Sequence, residues 1–323
     1  MVNRSTPVPA RRPAAALTWE VLLVVILAAS LVMARVLSPV FLDAANLTNI
    51  LLDIAEISLM ALTMTLIVVT GEIDLSVASV LGASSALMGV LWHLGLPMPV
   101  VIVLVLAGGA LAGFFNGWVI VRFELPSLAV TIGTLALFRG LAYVLLGDQA
   151  IADFPAAYTS FGMNTVGATF IPALFTVLLQ ATAFGRSLYA IGSNHQAAAF
   201  SGIDVKKTKL KLFVLSGVMS AIAGIVYTLR FTSARGDNGE GFELAVIAAV
   251  LFGGVSIFGG RGSLYGVLLS LLIVGVLKNA LTLVDVSSET LTIVTGVLLL
   301  SSVLIPNLVA GWRARRARRA IAH

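Results

Sequence analysis

Cysteine is absent from all 323 residues, which excludes disulfides and thiolate metal sites. Histidine is nearly absent too: His93, His195 and His323 stand far apart and offer no ligand spacing. Charge is the third scarcity, at 11% of residues, where soluble domains carry about 25%. No stretch of soluble composition exceeds about 30 residues, so any large catalytic domain must belong to another chain. A phosphate-binding G-x-x-x-x-G-K-[ST] loop is also missing, because the glycine-rich run at 253–262 has no lysine. No Ser-His-Asp set emerges either. These absences predict a non-catalytic chain with no cofactor of its own.

What is present is apolar surface. Hydrophobic residues make up 59% of the chain, and the mean hydropathy is +1.04. Runs of about 17–25 apolar residues recur, each long enough to cross about 30 Å of hydrocarbon. The pattern predicts an all-α integral membrane protein with ten transmembrane spans. They fall at residues 17–37, 49–69, 75–92, 97–121 and 125–147, then 168–184, 211–230, 242–258, 263–283 and 290–309. The eighth is short enough to be re-entrant. The first follows a basic segment and has no convincing cleavage site, so it reads as an uncleaved span.

The basic residues test this count. With the N-terminus in the cytoplasm, fifteen of the twenty Lys and Arg fall inside, and only Arg35, Arg230 and Arg235 fall outside. Arg139 and Lys278 lie within spans. The expectation is a multi-pass protein of the bacterial cytoplasmic membrane with both termini inside. It has a tail at 1–16, one transmembrane domain at 17–309 with a central cytoplasmic loop at 185–210, and a basic tail at 310–323. Basic residues gathered at span ends are a topology signal, so the net charge of +5 does not imply nucleic acid as a partner.

Recurrences suggest internal symmetry. Asn116 and Gly133 precede Asn279 and Gly296 by the same 163 residues. Asp74-Leu75-Ser76-Val77 is echoed by Glu243-Leu244-Ala245-Val246. In the topology above these copies run in opposite directions, which predicts an inverted repeat relating spans 2–5 to spans 7–10. Gly109, Gly113 and Gly117, and Gly262 with Gly266, form small-residue stripes that let helices pack closely in lipid.

Two segments carry unusual chemistry. In Gly71-Glu72-Ile73-Asp74-Leu75-Ser76-Val77, two carboxylates sit between apolar runs. They suit a helix break, either as caps on free N–H groups or as gating and coupling groups. In the central loop, Asn194 can cap a short helix over residues 195–201, with Gly202 ending it in a left-handed turn. Such an exposed helix suits docking of a soluble partner. Lys206, Lys207, Lys209 and Lys211 behind it read as headgroup anchors for the next span.

These segments resemble the permease subunits of ribose-type ABC sugar importers. GEIDLSV is similar to their GGIDLSVG signature. GRSLYAIGSNHQAAAFSGIDVKK resembles their GRxxYAIGGNxxAAxxSGIxVxR, and GEGFELAVIAAVLFGGVSIFGGRGSLYG their GxGxELxxIAAVxxGGTSLxGGxGSxxG. The matches come in order across most of the chain. LPSLAVTIGTLALFRGLAYVLL and FPAAYTSFG resemble the rhamnose and autoinducer-2 branch. Glu72 departs from the signature's second glycine, and Val255 from a common threonine.

The resemblance implies a type II ABC permease architecture like that of the vitamin-B12 importer. It also implies a second permease subunit, a cytoplasmic ATPase that holds the ATP and magnesium, and an extracytoplasmic sugar-binding protein. Asn194, His195, Ala197, Ala198, Ala199, Phe200, Gly202 and Ile203 would form the helix that meets the ATPase. Gly71, Glu72, Asp74 and Ser76 would form the signature or gating turn. Arg235, Asp237, Glu240 and Glu243, on an outer loop, would face the binding protein. Asn116, Thr131, Thr134, Arg139 and Asn279 are candidate pathway residues, with Arg139 expected to find an internal partner. The cargo would be a monosaccharide or sugar-like molecule, rhamnose or autoinducer-2 before ribose or xylose. The competing expectation is an ion-coupled secondary transporter, which needs an acidic residue deep in a broken helix, whereas Asp53, Glu56, Glu72 and Asp74 read as lying near span ends.

Overall fold

The computed structural model describes residues 14–162 and 179–287, with Phe175, Thr290, Ile293, Gly296 and Val297 besides. Twelve helices are described: α1 (Ala14–Leu37), α2 (Ala44–Asp53), α3 (Ala55–Val69), α4 (Val77–His93), α5 (Met98–Phe123), α6 (Ser127–Leu146), α7 (Ala156–Gly162), α8 (Ala183–Ser193), α9 (His195–Phe200), α10 (Val205–Phe231), α11 (Phe242–Phe252) and α12 (Leu264–Thr282). Among the described residues the only β pairing is an isolated bridge between Ile151 and Ala234. Among the described residues, five helices are long and apolar enough to cross a membrane, or six if α2 and α3, bent by 43°, form one broken span.

α10 is the axis of the bundle. Its 27 residues reach about 40 Å at 1.5 Å per residue, and its buried face runs from Leu212 to Leu229. Glycines set how closely its neighbours approach. A Cβ on Gly113 of α5 would overlap the Phe213 carbonyl, and one on Gly217 of α10 would overlap the Gly109 carbonyl. The stripe Gly109, Gly113 and Gly117 is therefore the seam between α5 and α10. Leu59–Val69, Val77 and Leu81 pack with Phe213, Met219 and Ala223 in the largest core cluster.

Side-chain bonds sort the helix ends into two sets. At one end Trp19 Nε1 donates to Phe252 O (3.1 Å), and Lys206 pairs with Glu124. At the other, Trp92 Nε1 donates to Asp153 O (3.3 Å), Arg230 meets Leu52 O, and Asn46 and Asn279 exchange amide bonds at 2.9 and 3.0 Å. The first end carries Arg122, Arg186, Lys206, Lys207, Lys209, Lys211 and Arg261, and is called the basic end; Arg230 and Arg235 lie at the far end. Among the described residues, α3 and α5 run towards the basic end, and α4, α6, α10 and α12 run away from it.

Several boundaries differ from expectation. The second span starts at Ala44 and breaks at Ile54. The third starts at Val77, because Asp74 and Ser76 are spent on a turn. The seventh starts at Val205, capped by Asp204 Oδ1, which accepts from Lys207 N at 2.9 Å. Gly262 lies in the turn before α12 with φ +152°, so it belongs to no helical stripe with Gly266. The eighth expected span is only the 11-residue α11. Most of the sixth and tenth expected spans, and both tails beyond residue 13 and residue 297, lie outside the described residues.

The short α11 has a cause. The segment at 232–241 does not stay at the surface but descends beside α4. Ala234 faces Gly89, and Asn238 O faces Gly82, about 10 Å lower at 1.5 Å per residue. α11 therefore begins inside the bundle, and the segment that leads into it is a run of turns rather than helix.

Candidate functional site

The signature turn is built by helix termination. α3 closes with two bonds, Gly71 N to Val68 O (2.9 Å) and Glu72 N to Ile67 O (3.3 Å). That pairing requires a left-handed residue after the C-cap, and Gly71 supplies it at φ +84°. The chain then turns on Asp74, which is 2% exposed. Its Oδ1 accepts from Ser76 N (3.0 Å) and Ser76 Oγ (2.6 Å), and its Oδ2 accepts from Ser216 Oγ (2.8 Å) on α10. Three donors from hydroxyl and backbone groups thus replace the water that burial removes.

Neighbouring helices fix the same turn. Asn116 Nδ2 of α5 donates to Ser76 Oγ at 2.8 Å. Ile73 N donates to Ser127 Oγ at 3.0 Å, and Thr131 Oγ1, on α6, shares its proton between Ser127 O (2.8 Å) and Ile73 O (3.3 Å). Asn116, Thr131 and Thr134 are all buried and bonded, so they face the bundle interior. Glu72 does not cap a helix. It pairs with Lys209 across a largely buried contact, which also removes Lys209 from the expected set of headgroup anchors.

Against this turn lies the central loop. α8 is capped by Thr182, which accepts from Gly185 N (3.0 Å). α9 follows at once, capped by Asn194 Oδ1 accepting from Ala197 N (3.0 Å). Gly202, at φ +85°, ends α9 with the same paired bonds as Gly71, here to Ala199 O and Ala198 O. The predicted short helix and both its stops are therefore present. The His195 ring nitrogen Nε2 lies 3.1 Å from Thr70 O. Gly260 N donates to Val69 O (2.8 Å), and Tyr189 OH donates to Gly262 O (2.8 Å). A Cβ on Gly192 would overlap the Val69 carbonyl. Three segments thus meet at the basic end: the turn at 70–76, the loop at 183–203 and the glycine turn at 253–262. Burial pushes the Tyr189 hydroxyl above its ordinary range.

α9 presents an unusual surface. Ala198 is buried, Asn194, His195, Ala197 and Ala199 are exposed, and Phe200 is 93% exposed. Ile203 is half-buried in the turn that follows. An aromatic ring that projects alone from a short capped helix is suited to filling a pocket in another protein.

The far end is organised differently. Arg139 reaches from α6 with Nη1 donating to Gly236 O (2.8 Å) and Asn238 O (2.9 Å), and Nη2 donating to Ala78 O (3.2 Å). The expected internal partner of Arg139 is therefore backbone. Asn238 Nδ2 donates to Ser85 Oγ (2.8 Å) and Ser233 O (2.9 Å). Arg230 binds Leu52 O, Asp53 and Glu56 at the break between α2 and α3. Glu56 is 1% exposed, in the first turn of α3 beside that break. Arg235 and Asp237 form an exposed fork at 2.8 and 2.9 Å, and Tyr143 OH lies 3.5 Å from Glu240. Glu243 sits in the first turn of α11, where a carboxylate favours the helix dipole. Asn279 meets Asn46 rather than any of the other expected pathway residues.

The structure thus brings the signature residues, His195, Asn116 and Thr131 into one cluster, and leaves Arg139 and Asn279 elsewhere. It adds Ser127, Ser216, Lys209, Tyr189 and Gly192, which the sequence reading missed. Hydroxyls inside apolar runs were the available signal for Ser127 and Ser216. Among the described residues no group of three His, Asp or Glu side chains is placed to hold a metal ion.

Residues 46–303 match the family model of the branched-chain amino acid transport system permease component. The ribose import permease protein RbsC of Bacillus subtilis is 37% identical over 287 residues, 85% of this chain and 88% of that one. The autoinducer 2 import system permease protein LsrD of Escherichia coli is 33% identical over 319 residues, 93% of this chain and 97% of that one. The LsrD protein of Shigella flexneri matches to the same extent. No solved structure matches.

Proposed function

The chain belongs to the family of the branched-chain amino acid transport system permease component, and from that premise we propose that it forms the translocation pathway of a binding-protein-dependent ABC importer for a monosaccharide or sugar-like molecule. ATP hydrolysis takes place on a separate cytoplasmic ATPase that holds the ATP and magnesium. Rhamnose or autoinducer-2 is the favoured cargo, with ribose and xylose next. The observation that carries the reading is α9: a capped, exposed helix ending in Phe200 and clasped to the signature turn through His195. Movement of this helix by an ATPase reaches the turn between α3 and α4 directly, and through Asp74, Asn116 and Thr131 it reaches α10, α5 and α6.

The basic end faces the cytoplasm by the positive-inside rule, which puts both termini of a ten-span chain inside. Arg235, Asp237, Glu240 and Glu243 at the far end then meet the binding protein, where charge sets registration and encounter rate. The inverted repeat is supported by Asn116 and Asn279, which bond towards opposite ends of the bundle. A type II architecture accommodates that repeat, and a second permease subunit completes the pathway.

The buried acids bear on the ion-coupled alternative. Glu56 is matched by Arg230, and Asp74 is held by three donors, so both have structural duties. Uptake into proteoliposomes separates the two readings. Labelled sugar should enter only when the ATPase, ATP and the binding protein are supplied. Entry that follows a proton or sodium gradient without them contradicts the proposal.

A further inference from the structure

The four lysines at the start of α10 are not equivalent. Lys206 Nζ lies 2.9 Å from Glu124, Lys207 Nζ lies 3.2 Å from Asp204, and Lys209 pairs with Glu72. These partners hold the Glu124 and Asp204 carboxyls below the ordinary carboxylate range, through the Lys206 ammonium for Glu124 and first through the Lys207 N–H for Asp204. Lys211 has no hydrogen bond or ion pair among the described residues, and it is the weakest of the influences on Asp204. It is also exposed.

Lys211 stands at the mouth of an apolar groove of about 400 Å³, lined besides by Phe114, Leu210, Val214, Leu215 and Val218. Lys211, Val214, Leu215 and Val218 follow the i, i+3, i+4, i+7 spacing, so they share one face of α10. Phe114 comes from α5, held near by the glycine seam. Along this face the order is a free cation at the basic end, then apolar side chains towards the middle of the bundle. A phospholipid offers the same order, a charged headgroup and then an acyl chain.

We propose that this groove binds an anionic phospholipid, with its phosphate on Lys211 and one acyl chain along Phe114, Val214, Leu215 and Val218. The three other lysines are spent on carboxylates, which makes Lys211 the headgroup contact of this helix. The complementarity is of charge at the mouth and of apolar surface within, and a free anion satisfies only the first.

The test uses the full-length chain in detergent with equal amounts of phosphatidylglycerol and phosphatidylcholine of identical acyl chains. Retained lipids are counted by native mass spectrometry. The unmodified chain should retain phosphatidylglycerol in preference. Lys211→Ala should lower that preference about five-fold, the effect of one basic residue near an anionic surface. Lys211→Arg should keep it, and Lys206→Ala should leave it unchanged. Val218→Trp, which fills the groove and leaves the charge, should lower retention of both lipids with the melting temperature preserved. Unchanged retention in Lys211→Ala and Val218→Trp would overturn the proposal. So would displacement of the lipid by inorganic phosphate, or loss of a second copy of the chain in place of a lipid.

Discussion

The two ends of this bundle each hold a non-helical segment within the helices, but from opposite sides of the hydrogen bond. At the basic end the buried segment brings its own acceptor, the Asp74 carboxylate, and Ser76 of the same turn and Ser216 of α10 supply the hydroxyl donors. At the far end the segment at 232–241 offers backbone carbonyls, and a remote cation, Arg139, supplies the donors. A carboxylate accepts several short bonds and fixes one tight turn. A guanidinium fork spans several ångströms and can tie a long descending segment to α4 and α6 together. What each end shows to the outside differs in the same way: an apolar ring on a short helix at the basic end, and the Arg235–Asp237 fork with Glu240 at the far end.

Removing each anchor should break one end and spare the other. The largest effect is expected from Asp74→Ala, which strands Ser216 and the Ser76 N–H in the interior. A loss of at least about 3 kcal/mol follows from bonds to a charged acceptor, read as a fall in melting temperature in detergent. Arg139→Met should cost about 2 kcal/mol, since three carbonyls lose a charged donor. Hydrogen exchange should then rise at 232–241 and stay unchanged at 70–76. Equal exchange at both segments would mean that the ends are not independent.

Smaller again is the Glu72–Lys209 pair. A cycle of Glu72→Gln, Lys209→Met and the double variant should give a coupling of about 1–2 kcal/mol, because the pair is largely buried. A coupling of zero would make Glu72 a neutral replacement for glycine. Least of all, Arg235→Ala should change stability by under about 1 kcal/mol, as exposed pairs do. Its expected effect is on association with the binding protein, slower and less salt-dependent.

The same contrast explains what was legible in the sequence. Features made by neighbours in the chain could be read: the cap at Asn194, the stop at Gly202 and the turn at Gly71 each depend on a few adjacent residues. Periodicity located the long helices because lipid demands a continuous apolar run. The break at Ile54 and the descent of 232–241 could not be read, since Arg230 and Arg139 make them from more than 90 residues away. The burial of Glu56 could not be read for the same reason: only the arrival of Arg230 supplies its partner. The lysines looked alike as a run, and only their separate partners distinguish them.

The central claim is that α9 carries the force of a partner ATPase into the turn held by Asp74. It is tested most directly by Phe200→Glu in the full-length chain, co-expressed with its ATPase and purified from membranes. The account predicts normal insertion, an unchanged melting temperature and loss of the ATPase from the purified complex, because the Phe200 side chain is exposed. Co-purification at the level of the unmodified chain would contradict it.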